Sequence, residues 1–193
     1  METEKNNLTP ERSLAIINET LDRSRRNILR QSGTPLLLWG ALLFVFSLGI
    51  TILWNKTGSP AWNYLWFAMT ALGFALSPLF ARNTKKVPDN MISKLLGATW
   101  SAFGVFAISL ALTAIFLVPF NITIAIVLLF GFAETMSGFL LKNWPVIISG
   151  FVIALGGVIA SVLLKDQSSQ MLVFTVGGVV LALTGLAVKL QNR

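Results

Sequence analysis

Six stretches of about 20 mostly apolar residues dominate this chain of 193 residues. A helix of about that length crosses a hydrocarbon core about 30 Å thick. Lipid offers the backbone no hydrogen-bond partners, so each stretch is expected to be a helix. We therefore predict an all-α, polytopic integral membrane protein with six transmembrane helices, at about 35–54, 61–80, 95–117, 122–141, 145–164 and 171–190.

The basic residues indicate how these spans are oriented. If the N-terminus is cytoplasmic, thirteen of the fifteen Lys and Arg residues lie in inner segments, and only Lys56 and Lys165 lie outside. This bias follows the positive-inside rule and places both termini in the cytoplasm. The net charge of +7 then reflects topology and attraction to anionic headgroups, so no nucleic-acid partner is expected.

The chain divides into a cytoplasmic segment, residues 1–33, and a six-helix domain, residues 34–193. In the first part, Thr9-Pro10-Glu11 favours a helix start. Apolar side chains then recur at three- and four-residue spacing, which predicts an amphipathic helix over about 10–32. Ser32-Gly33-Thr34-Pro35 is expected to end this helix before the first span.

Two interpretations of the amphipathic helix are open. It can lie along the lipid headgroups, held by its arginines. It can instead dock on a protein partner or on a second copy of the chain, as in a homo-oligomer. Both interpretations use the same candidate contact residues, which are Leu14, Ile17, Leu21, Ile28, Arg23, Arg25, Arg26 and Arg30.

Some spans share a pattern at constant spacing. Gly131, Ser137-Gly138 and Lys142 in the fourth span match Gly178, Thr184-Gly185 and Lys189 in the sixth span, at an offset of 47. The first and third spans match at an offset of 62, and the first and fifth spans match at an offset of 110. The pattern suggests three consecutive helical hairpins related as parallel repeats.

Pairs of small residues four positions apart permit helices to approach closely. We expect their main use to be packing within the chain. The pairs are Gly97-x-x-x-Ser101, Gly156-x-x-x-Ala160, Gly157-x-x-x-Ser161 and Gly178-x-x-x-Ala182.

Glu134 is the only acidic residue within the predicted spans. A charge at this depth is costly, so an acid there needs a polar environment or its proton. Together with its neighbours Thr135 and Ser137 it forms a candidate intramembrane site. The functional interpretation is a proton- or cation-linked site. The structural interpretation is a protonated acid bonded to a hydroxyl of a neighbouring helix, such as Ser101, Ser109 or Thr113.

The chain contains no Cys and no His. This excludes disulfides, Cys/His metal sites and catalytic units built on those residues. No spacing of carboxylates predicts a catalytic, metal or cofactor site either. We therefore expect no enzyme activity, no catalytic residue and no cofactor.

These observations favour a non-enzymatic accessory or regulatory membrane protein that contacts a partner or headgroups through its N-terminal helix. The alternative is a small transporter or channel that uses Glu134. The sequence names no substrate for it.

The N-terminal region also resembles a family of small uncharacterised bacterial inner-membrane proteins. The resemblance covers about the first fifty residues and is carried by Ser13-Leu14-Ala15-Ile16-Ile17, Arg25-Arg26-Asn27-Ile28 and Pro35…Trp39-Gly40. It implies a cytoplasmic helix ahead of several spans and a multi-pass location in the bacterial cytoplasmic (inner) membrane. It implies no activity.

The lack of Cys makes the predicted topology testable, since single replacements are labelled against a silent background. A membrane-impermeant maleimide should label Thr57→Cys in intact cells. Thr84→Cys should be labelled only after the membrane is opened. Labelling of Thr84→Cys from outside would contradict the orientation.

Overall fold

The computed structural model describes residues 9–81, 91–118 and 120–191, and the all-α prediction is confirmed for them. The basic residues predicted at 1–8, 82–90 and 193 lie outside this part of the chain. A short 3₁₀ turn, Pro60–Tyr64, follows the first helix. The six helices are α1 (Pro10–Thr57), α2 (Leu65–Ala81), α3 (Met91–Phe116), α4 (Ile122–Leu141), α5 (Trp144–Leu163) and α6 (Gln167–Gln191).

Five of the helices, α1 and α3 to α6, are long and apolar enough to cross a membrane. The helix α2 has 17 residues, because the 3₁₀ turn occupies the start of the predicted second span. α6 is the most covered of the five by the rest of the protein, whereas no residue in the apolar stretch of α3 is fully buried. The core therefore lies around α1, α4, α5 and α6, with α3 at the edge.

The predicted helix break at Ser32–Pro35 is wrong, because α1 continues through it for 48 residues. The reason is tertiary packing. A methyl group built on Gly33 would lie 2.9 Å from the carbonyl oxygen of Gly185 in α6. This contact holds Gly33 in the helix and overrides the local preference of the sequence, and Pro35 is accommodated inside the same helix.

The helices α1 and α6 pack antiparallel along a seam of small residues. A methyl group on Gly40 would lie 2.6 Å from the backbone nitrogen of Ala182, and one on Gly178 would lie 2.6 Å from the nitrogen of Phe44. Further along, the hydroxyls of Ser47 and Thr175 lie 2.9 Å apart. Glycine permits this backbone approach, so Gly178-x-x-x-Ala182 packs within the chain as predicted.

The helices α4 and α5 form a second seam of the same kind. A methyl group on Gly131 would lie 2.7 Å from the nitrogen of Ala154, and one on Gly150 would lie 2.5 Å from the nitrogen of Thr135. Gly157 and Ser161 are also buried, whereas Gly97 and Gly156 face open space. The expectation of packing within the chain therefore holds for two of the four small-residue pairs.

The two seams use matching positions. Adding 47 to Gly131 and Thr135 gives Gly178 and Ala182, and subtracting 110 from Gly150 and Ala154 gives Gly40 and Phe44. The contacts of α4 with α5 are thus repeated by α6 with α1, residue for residue. α2 and α3 do not pack along each other in the same way within the described residues. Two equivalent helix pairs are therefore present, and the three-hairpin repeat stays a prediction.

At the end of the bundle away from the α4–α5 turn, a polar cluster holds the start of α6. The Ser168 hydroxyl lies between the Asn55 side-chain oxygen and the Asp166 carboxylate, and Asp166 also accepts from the Ser169 backbone N–H at 3.0 Å. These hydrogen bonds lower the pKa of Asp166 below its ordinary value. The cluster thus caps α6 and ties it to the last turns of α1.

Gly40→Ala should destabilise the protein, because its methyl group would enter the backbone of α6. We expect a loss of about 1–3 kcal/mol, the usual cost of overpacking. Gly49→Ala in the same helix is the matched control, since a methyl group there meets nothing within 4 Å. Thermal unfolding in detergent, followed by circular dichroism, measures both. Equal effects of the two variants would contradict the seam.

Candidate functional site

Glu134 lies at the seam between α4 and α5 and has no exposed surface. Its neighbours on α4, Ala133 and Thr135, are also buried. Gly131 lies one turn earlier and brings the α5 backbone to van der Waals distance. The carboxyl group is therefore enclosed by closely packed helices rather than facing lipid.

The hydrogen bonds of Glu134 are few. Its Oε1 lies 3.2 Å from the hydroxyl oxygen of Ser149 in α5, and that hydroxyl also lies 2.9 Å from the carbonyl oxygen of Val146. Oε2 has no hydrogen-bond partner among the described residues. Ser149 has one hydroxyl proton for two acceptors. A proton on Glu134 lets Ser149 donate to Val146 and accept from the acid, so the geometry suits the neutral acid.

The expected partners of Glu134 on the third span are wrong. The hydroxyls of Ser109 and Thr113 bond to the backbone of their own helix, and Ser101 is exposed. The partner is Ser149, which sequence reasoning missed. The sequence signal for this pairing was the short turn at Lys142. Glu134 lies eight residues before this turn, and Ser149 lies seven residues after it. In an antiparallel hairpin these positions are level.

The other two candidate residues have different neighbours. Thr135 lies under Gly150 of α5, and so belongs to the same seam as Glu134. Ser137 accepts a hydrogen bond from the indole nitrogen of Trp100 at 3.1 Å and donates to the Ala133 carbonyl oxygen at 2.8 Å. Ser137 therefore connects α4 to α3, and its hydrogen bonds run to Trp100 and to its own helix.

Beside this seam, α5 departs from regular helix geometry. Residues Val152–Gly156 form a π-helical segment, and Ala154 within it contacts Gly131. Such segments are rare and are found often at functional sites. The irregular segment thus lies in the same seam as the buried acid and begins three residues after Ser149, the partner of Glu134.

The last turn of α4 is attached to α1. The Arg25 guanidinium donates to the Leu140 carbonyl oxygen at 3.0 Å and to the Asp22 carboxylate at 2.8 Å. Lys142 lies 4.0 Å from the same carboxylate. The hydrogen bond from Arg25 holds the pKa of Asp22 below its ordinary value, so this part-buried pair persists at neutral pH and is lost only in acid.

The other candidate contact residues divide along α1. Leu14 and Ile17 are 61% and 53% exposed, so the first turns of α1 form an apolar tip. The arginines follow in the next turns: Arg23 pairs with Glu19 at 3.6 Å, and Arg26 and Arg30 are exposed. The half-buried members, toward the bundle, are Leu21, Arg25 and Ile28.

No group of His, Cys, Asp or Glu side chains suited to a metal ion occurs in residues 9–81, 91–118 and 120–191. No protein-family model, curated protein or solved structure matches the chain. The resemblance to small bacterial inner-membrane proteins therefore stays a prediction.

Arg25→Gln should loosen the base of α1, because it removes the hydrogen bonds to Leu140 and Asp22. Hydrogen exchange of residues 21–31 should accelerate severalfold, in line with about 1.5–3 kcal/mol for a hydrogen bond to a charged group, reduced here by exposure. Arg23→Gln is the control, since its pair with Glu19 is exposed. Unchanged exchange in Arg25→Gln would show that this attachment does not hold α1.

Proposed function

We propose that this protein is a non-enzymatic accessory or regulatory component of the bacterial cytoplasmic membrane that binds a cytoplasmic protein through the apolar tip of α1. One observation carries the proposal. α1 runs as one helix from the exposed Leu14 and Ile17 to the seam with α6. A partner bound at the tip is thereby connected to the membrane core by a single element.

Six spans with both termini in the cytoplasm are part of this proposal. α2 supports a total of six spans. It runs antiparallel to α1, with the Trp39 and Phe74 rings 5.7 Å apart, and its Trp66 also contacts Phe174 of α6. A helix packed level with two spans lies in the same apolar layer. Its 17 residues reach the lower limit for crossing a membrane.

The distance along α1 favours a protein partner over headgroups for the tip. If the membrane begins at Pro35, Ile17 lies about 27 Å out along the helix and Leu14 about 32 Å. A headgroup layer is about 5–8 Å thick. Arg30 lies about 8 Å out, so the arginines nearest the membrane are the ones suited to headgroup contact.

The chemistry of the tip indicates the kind of partner. Exposed Leu14 and Ile17 share one helix face, and the charged residues of 10–20 are only Glu11, Arg12 and Glu19. Their net charge of −1 gives no attraction to anionic lipid. Such a helix suits an apolar groove of a protein.

The alternative of a small transporter or channel is less well supported. It needs a path for a solute to Glu134, whose side chain is fully covered by the described residues. We therefore place Glu134 in a regulatory role.

Crosslinking tests the proposal without knowledge of the partner. A photoreactive label on Leu14→Cys or Ile17→Cys should give the same discrete protein adduct in native membranes. Ile16→Cys is the matched control, because Ile16 is exposed but lies on another face of the helix. The double variant Leu14→Ser/Ile17→Ser should reduce co-purification of that adducted protein at least about tenfold, since it removes two buried apolar contacts.

Two outcomes would contradict the proposal. An adduct of two copies of this chain would identify the tip as a homo-oligomer contact. Adducts with lipid alone, equal for the Leu14 and Ile16 positions, would favour the interpretation of a helix on the headgroups.

A further inference from the structure

We propose that Glu134 is a proton-binding site, which releases its proton in the folded protein and thereby opens the contact between α4 and α5. The ligand is the proton itself, exchanged with water. That α1 transmits the protonation state of Glu134 rests on the function proposed above. The proton-binding site itself rests on the geometry of α4 and α5.

The seam of α1 with α6 serves as an internal reference. At the offset of 47 that relates α4 to α6, Glu134 corresponds to Leu181, which is 2% exposed. The surrounding glycine contacts are the same in both seams. A leucine therefore fills the equivalent position of the same packing arrangement. The fold does not require an acid there, which argues for a role of the acid other than packing.

A second difference between the seams lies at the same place. The π-helical segment Val152–Gly156 corresponds, at the offset of 110, to residues 42–46, and these are regular α-helix within α1. The seam of α4 with α5 thus differs from its reference in a buried acid and in an irregular helix opposite it. The seam of α1 with α6 is regular helix, its buried polar groups include the hydroxyls of Ser47 and Thr175, and it has Leu181 at the position of the acid. Both departures locate the specialised function in the α4–α5 seam.

The surroundings of Glu134 explain why ionisation opens this contact. A carboxylate would keep the Ser149 hydroxyl as its sole hydrogen bond, with Oε2 unpartnered and no exposed surface. Ionised groups without partners are unstable in such an environment. Separation of α5 from α4 lets water reach the carboxylate. The O–H bond of the acid breaks, and the proton passes to that water.

No charged group compensates Glu134 from the helices packed against α4. α5 carries no charged residue, and the cations of the other packed helices lie toward their ends, as with Lys94 in α3 and Lys189 in α6. On α1, the cation attached to α4 is Arg25, which binds Leu140. Lys142, at the end of α4, is eight residues away, or about 12 Å. The charge state of Glu134 therefore responds to pH rather than being fixed by an ion pair.

The same helix carries the response toward α1. Leu140, six residues after Glu134, accepts the hydrogen bond from Arg25, and Lys142 lies near Asp22. Displacement of α4 against α5 acts on this attachment first. The base of α1 is therefore where the proton site and the proposed docking helix meet.

Hydrogen exchange of the whole protein in detergent, followed as a function of pH, tests the proposal. The readout is the exchange rate of residues 131–138 and 146–153, divided by the rate in Glu134→Gln at the same pH, which cancels the intrinsic pH dependence. The ratio should be one in acid and rise roughly hundredfold in alkali, the factor equivalent to the cost of a charge at this depth. Glu19→Gln is the matched control and should respond as the unmodified protein does.

A ratio of one at every pH would overturn the proton site, since the acid would then stay neutral. Glu134→Leu provides a second reference if Glu134→Gln fails to fold, because Leu181 shows that leucine fits. A response of residues 131–138 and 146–153 supports the site. If the exchange ratio of residues 21–31 also rises with pH, the link between the site and α1 is supported. If that ratio does not change, the link is overturned. Neither result depends on the crosslink at Leu14, so the two proposals fail separately.

Discussion

Backbone contact between the first and the last helix is the constraint on which the rest of the structure depends. In an apolar solvent, burial of apolar side chains gains little, and helices associate through close packing. Gly33 and Gly40 of α1 meet Gly185 and Gly178 of α6, so the first and the last helix are joined. The helices between them are thereby gathered into one bundle, with α4 and α5 joined by a second seam of the same design.

The same contact determines what the N-terminal segment can do. Ser32-Gly33-Thr34-Pro35 would end a helix in water, but in this protein Gly33 is packed against α6 and the helix continues. The segment is therefore an extension of a span, attached at its base through Arg25 to α4. An element of this kind holds its tip at a fixed distance from the bundle, which a separate surface helix would not do.

The sequence predicted those features that follow from local pattern. Helical spans follow from the length of the apolar stretches, and close packing at Gly178 and Ala182 follows from small residues at four-residue spacing. Glu134 stood out because ionisable residues are rare in spans. The sequence matches at offsets of 47 and 110 residues carried information beyond local pattern. They identify the positions at which the two seams make the same contacts.

What the sequence alone could not supply depends on which helices are neighbours. The pairing of α1 with α6 is a contact between positions far apart in the chain, and the continuity of α1 follows from it. The π-helical segment of α5 likewise has no marker in its residues, which are apolar like those around them. Ser149 was within reach of hairpin geometry, but its importance depends on the unpartnered oxygen of Glu134.

The two seams together suggest how a repeated structure acquires a function. One copy of the packing arrangement, α1 with α6, has an apolar residue, Leu181, where the other copy has Glu134. The other copy can then accept an acid that weakens the contact when charged. In the role proposed for Glu134, stability and response are divided between equivalent helix pairs, with α1–α6 holding the molecule while α4–α5 opens when the acid is ionised.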